Sequence, residues 1–328
     1  MITSPENGIT VSVIVPVLNE EKHIDALLSS LVSQTFPVEE MEWILIDGGS
    51  SDRTLEIIGG YADQYPLILL HSDAKGTPHS LNMGIRESRG RYIVRLDAHT
   101  VYPPEYIERC VWYLDNTEAD NVGGRVNTVA DGFIGSAIAE MLSSRFGVGG
   151  SGFRTSGRSG YVDTVPFGAF RREVFDRVGL FDETLLRSED NDLNSRIRGA
   201  GGKIFMADDI VSEYRCRDTV GGVLRYGMQN GNALFRTIKN NPHAMSIRHF
   251  IPFLFVMSLA VLPLLGSFSP FFFYVLAAEL ALYLLIDIYF SFFTGCPKQG
   301  LITVWLYPLF HISYGIGSLL GLLGIELY

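Results

Sequence analysis

At 328 residues, with 47% apolar and 19% charged side chains, the chain has room for one large domain plus an appendage. A net charge of −10 argues against a nucleic-acid partner. Cys110, Cys216 and Cys296 are too few and too scattered for a disulfide framework or a zinc site, and read as reduced cytosolic thiols. No period of 20–50 residues recurs, which excludes a repeat architecture.

The opening MITSPENGIT has neither a basic nor an apolar leader segment, so the part that follows is expected in the cytosol. Thr10–Val17 (TVSVIVPV) is a β-branched apolar run of buried-strand length. Asn19 then stands as a cap before a helix in which Ile24, Leu27, Leu28 and Leu31 recur at helical spacing. Glu42–Ile46 predicts a second strand ending at Asp47-Gly48-Gly49, and Ser51 or Asp52 opens the next helix. Leu67–His71 predicts a strand, Thr77–Ser88 a helix, and Arg91–Leu96 a strand ending at Asp97. Strands alternating with helices at this spacing predict a mainly parallel α/β sheet with right-handed crossovers. Ligands of such sheets sit beyond the carboxyl ends of the strands, where Asn19, Asp47 and Asp97 fall.

Beyond a helix at Pro104–Asp115, Asn121–Val129 reads as a strand and Ile134–Phe146 as an amphipathic helix. Gly147–Gly160 (GVGGSGFRTSGRSG) is too glycine-rich for regular structure. It is either a loop or a phosphate clamp through Arg154 and Arg158. Leu193, Ile197 and Gly199 mark a helix whose start, Ser188-Glu189-Asp190, suits a cap and a favourable dipole. Val220–Ile238 reads as an interfacial helix.

From Phe250 to Tyr328 the formally charged side chains are only Glu279, Asp287, Lys298 and Glu326. Three apolar stretches, 251–268, 271–293 and 301–325, each approach the roughly 20 residues a bilayer span needs. Arg236, Lys239 and Arg248 precede the first stretch and Lys298 lies between the second and third, while Ser267–Pro270 has no basic residue. The bias places residues 1–249 inside, and three spans would put Glu326 on the opposite side of the plasma membrane. Residues 1–218 are expected as the catalytic domain, 219–249 as the interfacial region and 250–328 as the membrane domain.

In order along the chain, SVIVPVLNEE, IDGGSSDRT, RLDAHT, FGVGGSGFR, VDTVPFGAFRREVFDRVGLFDE and SEDNDLNSRIRGAGGKI resemble glycosyltransferase family 2. Within it they resemble the membrane-bound succinoglycan-type glucosyltransferases of exopolysaccharide assembly. The resemblance implies a GT-A-type domain, a UDP-sugar donor such as UDP-glucose, and a divalent metal. It implies inverting transfer of one hexose to a polyprenyl-diphosphate-linked saccharide, with membrane lipids and other glycan-assembly enzymes as neighbours. Carried over by position, Asp47 reads the uracil edge, Asp52 caps a helix beside the nucleotide, and Pro16, Asn19, Glu21 and Lys75 complete the donor loops.

Asp97 and His99 take the metal position, Asp97 as a ligand and His99 as either a ligand or a donor to a phosphate oxygen. The family's usual motif has two aspartates there, and an imidazole suits manganese better than magnesium. Asp190 takes the place of the base, with Glu189 and Asp192 as helpers. Arg217 and Arg225 are candidates for pyrophosphate or acceptor phosphate. The pair Arg225-Tyr226 lacks the upstream glutamine of the polymerising members, Gly222 standing in its place, so single transfer is expected. The competing readings are a polyprenyl-phosphate sugar synthase and an idle membrane scaffold.

Overall fold

The computed structural model describes residues 8–74, 76–155 and 157–327. They fall into two units, Met1–Asn127 with Gly157–Tyr214 and Thr128–Ser156 with Arg215–Tyr328. The units divide at 214, and the second also takes in 128–156, residues that the sequence places in the expected 1–218 catalytic part.

In the first unit, β1 (Val11–Val17) lies between β2 (Met41–Asp47) and β4 (Tyr92–Arg95), parallel to both, and β3 (Leu67–His71) extends the sheet beyond β2. Every residue of β2, and all of β1 but Pro16, is buried. Continuous apolar runs are what a sheet covered on both faces requires. The covering helices include α1 (Ile24–Val32), α2 (Thr54–Ala62) and α3 (Thr77–Glu87). A Cβ on Gly84 of α3 would lie 2.6 Å from Ile14 Cγ2 and 2.9 Å from Ile46 Cδ1, so this close seat on β1 and β2 requires glycine. Glu42, an acid in the middle of this layer, accepts from Ser12 Oγ (2.6 Å) and from Arg89 through its backbone N–H (2.6 Å) and Nε (2.9 Å).

The other half of the sheet is antiparallel. β8 (Ala169–Arg171) runs against β4, and β6 (Asn121–Val129) against β8. β5 (Thr100–Val101) and β7 (Gly160–Tyr161) both pair antiparallel with β9 (Ile204–Arg215), giving the order β3-β2-β1-β4-β8-β6-β9-β5 with β7 on β9. The sheet is therefore mixed, and the expectation of mainly parallel pairing holds only for its first four strands. Strands of two or three residues leave no periodic trace. Helices α4 (Tyr106–Asn116), α8 (Glu173–Val178) and α9 (Glu189–Gly199) complete this unit.

The second unit is helical: α5 (Gly132–Ser143), α6 (Arg145–Val148), α7 (Gly152–Thr155), α10 (Val220–Asn240), α11 (Ile251–Gly266), α12 (Phe271–Phe293) and α13 (Pro297–Leu322). The glycine-rich stretch expected to be irregular takes in the end of α6, held at its start by Ser144 Oγ accepting from Gly147 N–H (2.9 Å), and the whole of the single-turn helix α7. Ala137, Ile138, Met141 and Leu142 of α5 pack with Val223 of α10 and Leu306, Tyr307 and Phe310 of α13. Among the described residues two helices, Ile247–Gly266 and Phe271–Phe293, are long and apolar enough to cross a membrane, and few of their residues are buried. α13 differs from them. It buries Thr303, His311, Ser313 and Ser318, and His311 is hydrogen-bonded to Tyr283 Oη (2.8 Å) and the Phe146 carbonyl (2.9 Å).

Candidate active site

The loops after β1 and β2 are laced together by their own polar groups. Asn19, in the left-handed region at φ 55°, accepts from Ser51 N–H (2.8 Å) and donates its own N–H to Ser50 Oγ (2.9 Å). Glu21 N–H donates to Asp52 Oδ2 (3.1 Å), and Glu21 Oε2 accepts from Arg53 N–H (3.2 Å). Asp52 also accepts from the N–H (3.0 Å) and hydroxyl (2.5 Å) of Thr54, which opens α2; it is not the cap expected from the sequence, since Arg53 holds the cap position and makes no side-chain cap hydrogen bond. Asp47 accepts from the N–H groups of Gly49 and Ser50 (both 3.1 Å), and His71 Nδ1 stands 3.5 Å away. Burial alone would raise its pKa; the hydrogen bonds from Ser50, Gly49 and His71 outweigh burial and hold it below the ordinary aspartate range. Gly49, at φ 94°, makes the turn that points these N–H groups inward. Pro16 is half-buried on β1 opposite Ile46, and Lys75 lies outside the described residues.

A different kind of junction forms at the end of β4. Arg95, on an otherwise apolar strand and 7% exposed, places Nη1 2.8 Å from Asp97 Oδ1. Its Nη2 stands 3.6 Å from Glu189 Oε1 and 3.8 Å from Asp190 Oδ2. The guanidinium also lies 5.9 Å over the ring of Phe167. Phe167 is braced edge-on by Tyr102 (5.7 Å) and accepts at its carbonyl from Tyr106 Oη (2.5 Å). Tyr102 Oη accepts from Asp97 N–H (2.9 Å), which fixes the turn bearing Asp97. His99, two residues on, faces Glu20 Oε1 with Nδ1 at 3.2 Å and packs its ring 5.2 Å from Tyr214.

Glu189 and Asp190 are the first two residues of α9, so Asp190 lies inside the helix's first turn and not at its cap. Ser188 in the cap position is at φ 65°, and its side chain makes no cap hydrogen bond. The helix is clamped from behind: Arg196 binds Asp192 (2.9 Å) and the carbonyls of Val178 (2.5 Å) and Leu180 (2.8 Å). Asp192 is therefore spent on structure. Burial and then the charge of Asp190 push Glu189 up to about 7, with Arg95 opposing them. Burial raises Asp190 too, Asp97 adding to it and Arg95 opposing. Burial would depress Arg95, but the charges of Asp190, Asp97 and Glu189 carry it above its ordinary value.

Among the described residues, the non-glycine residues at positive φ are Asn19, Phe167 and Ser188. Each costs of order 1–3 kcal/mol. Each adjoins either the loops after β1 and β2 or the Arg95 junction, where strain fixes geometry.

Asp97, Glu189 and Asp190 are thus brought together, and His99 follows Asp97 in the same turn. Arg217 and Arg225 belong to the second unit, where Arg217 stacks 6.0 Å over Tyr226 and Arg225 is exposed. Arg95, Phe167, Tyr102, Glu20 and Tyr214 were not singled out from sequence. A visible signal existed for Arg95: an arginine in the apolar run YIVRL must find carboxylates if the strand is buried.

No group of three His, Cys, Asp or Glu side chains among the described residues could by itself hold a metal ion. Asp97 and His99, with side chains 22% and 24% exposed, offer one carboxylate and one imidazole at an open strand end. That partial set fits an ion that takes its remaining ligands from a bound diphosphate and water.

A mixed sheet with polar loops at the carboxyl ends of its parallel strands defines a GT-A nucleotide-sugar-binding fold. The solved mannosyltransferase of Pyrobaculum calidifontis, in complex with GDP-Man and Mn2+, shares it. That structure superimposes with a TM-score of 0.62 at 20% identity, over 94% of this chain and 86% of that one. The sequence profile of glycosyl transferase family 2 matches residues 12–179, and the chain belongs to that family; it is a glycosyltransferase. It is 33% identical over 199 residues to the succinoglycan biosynthesis protein ExoA of Rhizobium meliloti, covering 60% of each chain. It is 26% identical over 317 residues to a Methanococcus voltae enzyme, covering 93% of this chain and 95% of that one. That enzyme is dolichyl N-acetyl-alpha-D-glucosaminyl phosphate 3-beta-D-2,3-diacetamido-2,3-dideoxy-beta-D-glucuronosyltransferase.

Proposed function

We propose that this glycosyltransferase transfers one hexose, with inversion, from a UDP-sugar to a lipid-linked saccharide at the cytosolic face of the plasma membrane, UDP-glucose being the first donor to test. The convergence of Asp97, Glu189 and Asp190 on Arg95 carries this reading. It sets the motif that faces the leaving diphosphate beside a carboxylate able to take the acceptor's proton. The dolichyl-linked acceptor named for the Methanococcus voltae relative supports a lipid-linked saccharide over a bare polyprenyl phosphate. The two apolar helices support a membrane location.

In this reading Asp47, Asp52, Asn19 and Glu21 hold the loops that receive the nucleotide, Asp47 lending a carboxylate oxygen to the N–H edge of the base. Asp97 and His99 would hold a divalent cation, manganese or magnesium, which neutralises charge on the departing diphosphate. Asp190, with 29% of its side chain accessible against 12% for Glu189, accepts the proton of the acceptor hydroxyl as that oxygen attacks the anomeric carbon. Arg95 orients both acids and Asp97, and Phe167 fixes the plane of the guanidinium.

The test is release of UDP from a panel of UDP-sugars with membrane lipid extract present. The expected product is a lipid-linked glycan longer by one sugar. Formation of a lipid monophosphosugar, or use of a GDP-sugar alone, would contradict the proposal.

A further inference from the structure

The part of the second unit that precedes α11 is charged unlike the rest of the molecule. Residues 128–156 and 215–250 carry eight basic and three acidic side chains in a chain whose net charge is −10. The centre of this basic region is α10, with Arg225 and Lys239 exposed on one side and Val223, Gly227, Gly231, Leu234 and Thr237 buried on the other.

What buries them is α13. A Cβ on Gly227 would lie 2.7 Å from Ser313 Oγ, and one on Gly231 would fall on the Tyr314 carbonyl oxygen. From the other side, a Cβ on Gly317 would strike the Met228 carbonyl and one on Gly321 the Asn232 carbonyl. Two glycines four residues apart on each helix thus let the backbones meet. Asn232 Nδ2 donates to the carbonyl of Ile325 (2.8 Å), and Arg236 forms an ion pair with Glu326. Residue numbers rise together on both helices, so they run side by side in the same direction. The last turn of α10 therefore lies beside the end of α13.

Their depth in a membrane follows from α10. It carries Arg225, Arg236 and Lys239 together with Gln229, Asn230 and Asn232. Each basic residue at a bilayer centre costs about 2.5–3.5 kcal/mol on an insertion scale. An amphipathic basic helix of this kind belongs in the plane of the headgroups. A helix locked parallel to it, ending beside it, shares that depth. Had α13 crossed, Glu326 would stand roughly 30 Å of hydrocarbon away from Arg236. Trp305, 70% exposed on α13, is of the residue type that favours the interface.

We propose that α10 and α13 form one paired layer lying in the headgroup region of the anionic cytosolic leaflet, that only the α11–α12 hairpin crosses, and that Glu326 returns to the cytosolic side. This rests on reading α11 and α12 as spans. It replaces the three-span layout expected from hydropathy. The occupant of the layer's exposed basic face is the phospholipid surface, whose charge is opposite to that of the region.

Cysteine accessibility in sealed vesicles of known orientation tests the layout. The full-length protein carries Cys216→Ser and Cys296→Ser, with either Glu326→Cys or Ser269→Cys added. A membrane-impermeant maleimide should label Glu326→Cys from the cytosolic side and Ser269→Cys from the opposite side. Labelling of both from the non-cytosolic side would overturn the proposal in favour of three spans. Labelling of Glu326→Cys only after detergent would place it within the bilayer and overturn the proposal as well. Labelling of Ser269→Cys from the cytosolic side would instead defeat the reading of α11 and α12 as spans. In the same background, Arg236→Cys with Glu326→Cys should be joined by a flexible bis-maleimide long enough to replace the two removed side chains. Absence of that cross-link would break the pairing of α10 with α13.

Discussion

The acids of the donor-side loops and the acids around Arg95 are satisfied in opposite ways. Asp47 and Asp52 take their hydrogen bonds largely from backbone N–H groups of their own turns, and folding leaves them ionised and committed. Glu189 and Asp190 share one guanidinium with Asp97 at 2.8–3.8 Å, and burial raises the pKa of both. In the proposed reading the first group shapes the loops that receive the nucleotide, and the second, to which folding gives one shared guanidinium, supplies the carboxylate that takes the acceptor's proton.

Four substitutions break or sharpen that contrast. Asp97→Ala removes the carboxylate on the diphosphate side, and UDP release should fall by at least about 10²–10³-fold, with manganese-dependent donor binding lost in calorimetry. Full turnover in chelator would contradict the metal assignment. Arg95→Met should cost about 10²-fold, the scale of a misplaced catalytic group. Its signature is a pH profile. Arg95 lowers the pKa of Glu189 and Asp190, so its loss raises both and moves the acid limb of kcat/KM to higher pH, while Arg95→Lys restores part of the shift.

Glu42→Ala probes an acid of the satisfied kind away from the site. It removes the acceptor of the Ser12 hydroxyl and of the Arg89 N–H, and should destabilise the protein by about 1–3 kcal/mol in denaturant titration without altering KM. Burial opposes ionisation of Glu42, but Ser12 and Arg89 outweigh burial and depress its pKa. Its contribution is therefore present above the ordinary glutamate value of about 4.3 and lost as pH falls through the lower folded value. The variant should lack that acid-sensitive component. The smallest effect is expected for His99→Asp, which keeps a ligand and should stay within about tenfold of normal turnover, shifting preference from manganese towards magnesium. Unchanged metal preference would remove His99 from the ligand set.

The parallel half of the fold was legible because β1, β2 and β4 are continuous apolar runs ending in polar turns, and Asn19, Asp47 and Asp97 stood out at those ends. The antiparallel half was not. β5, β7 and β8 are too short to show a period, and the alternation along β9 is interrupted by Asp208 and Asp209. Asp190 was found by resemblance and not by pattern, since an acid near a helix start is ordinarily a cap. Arg95 and Phe167 were missed because their meaning is tertiary: a guanidinium serving acids 94 and 95 residues away, over a ring in a strained turn. The glycine faces of α10 and α13 were equally silent until each had the other as partner.

The central claim is that Asp190 takes the acceptor's proton while its neighbours hold it in place. The most direct test is single-turnover transfer by Asp190→Asn, with UDP binding measured on the same preparation. The substitution keeps the volume, and Asp190 carries no cap, so the fold and UDP affinity should survive while the rate falls about 10²–10⁴-fold, with an inverted anomer in the residual product. Near-normal transfer by Asp190→Asn, with the loss appearing in Glu189→Gln instead, would contradict the assignment.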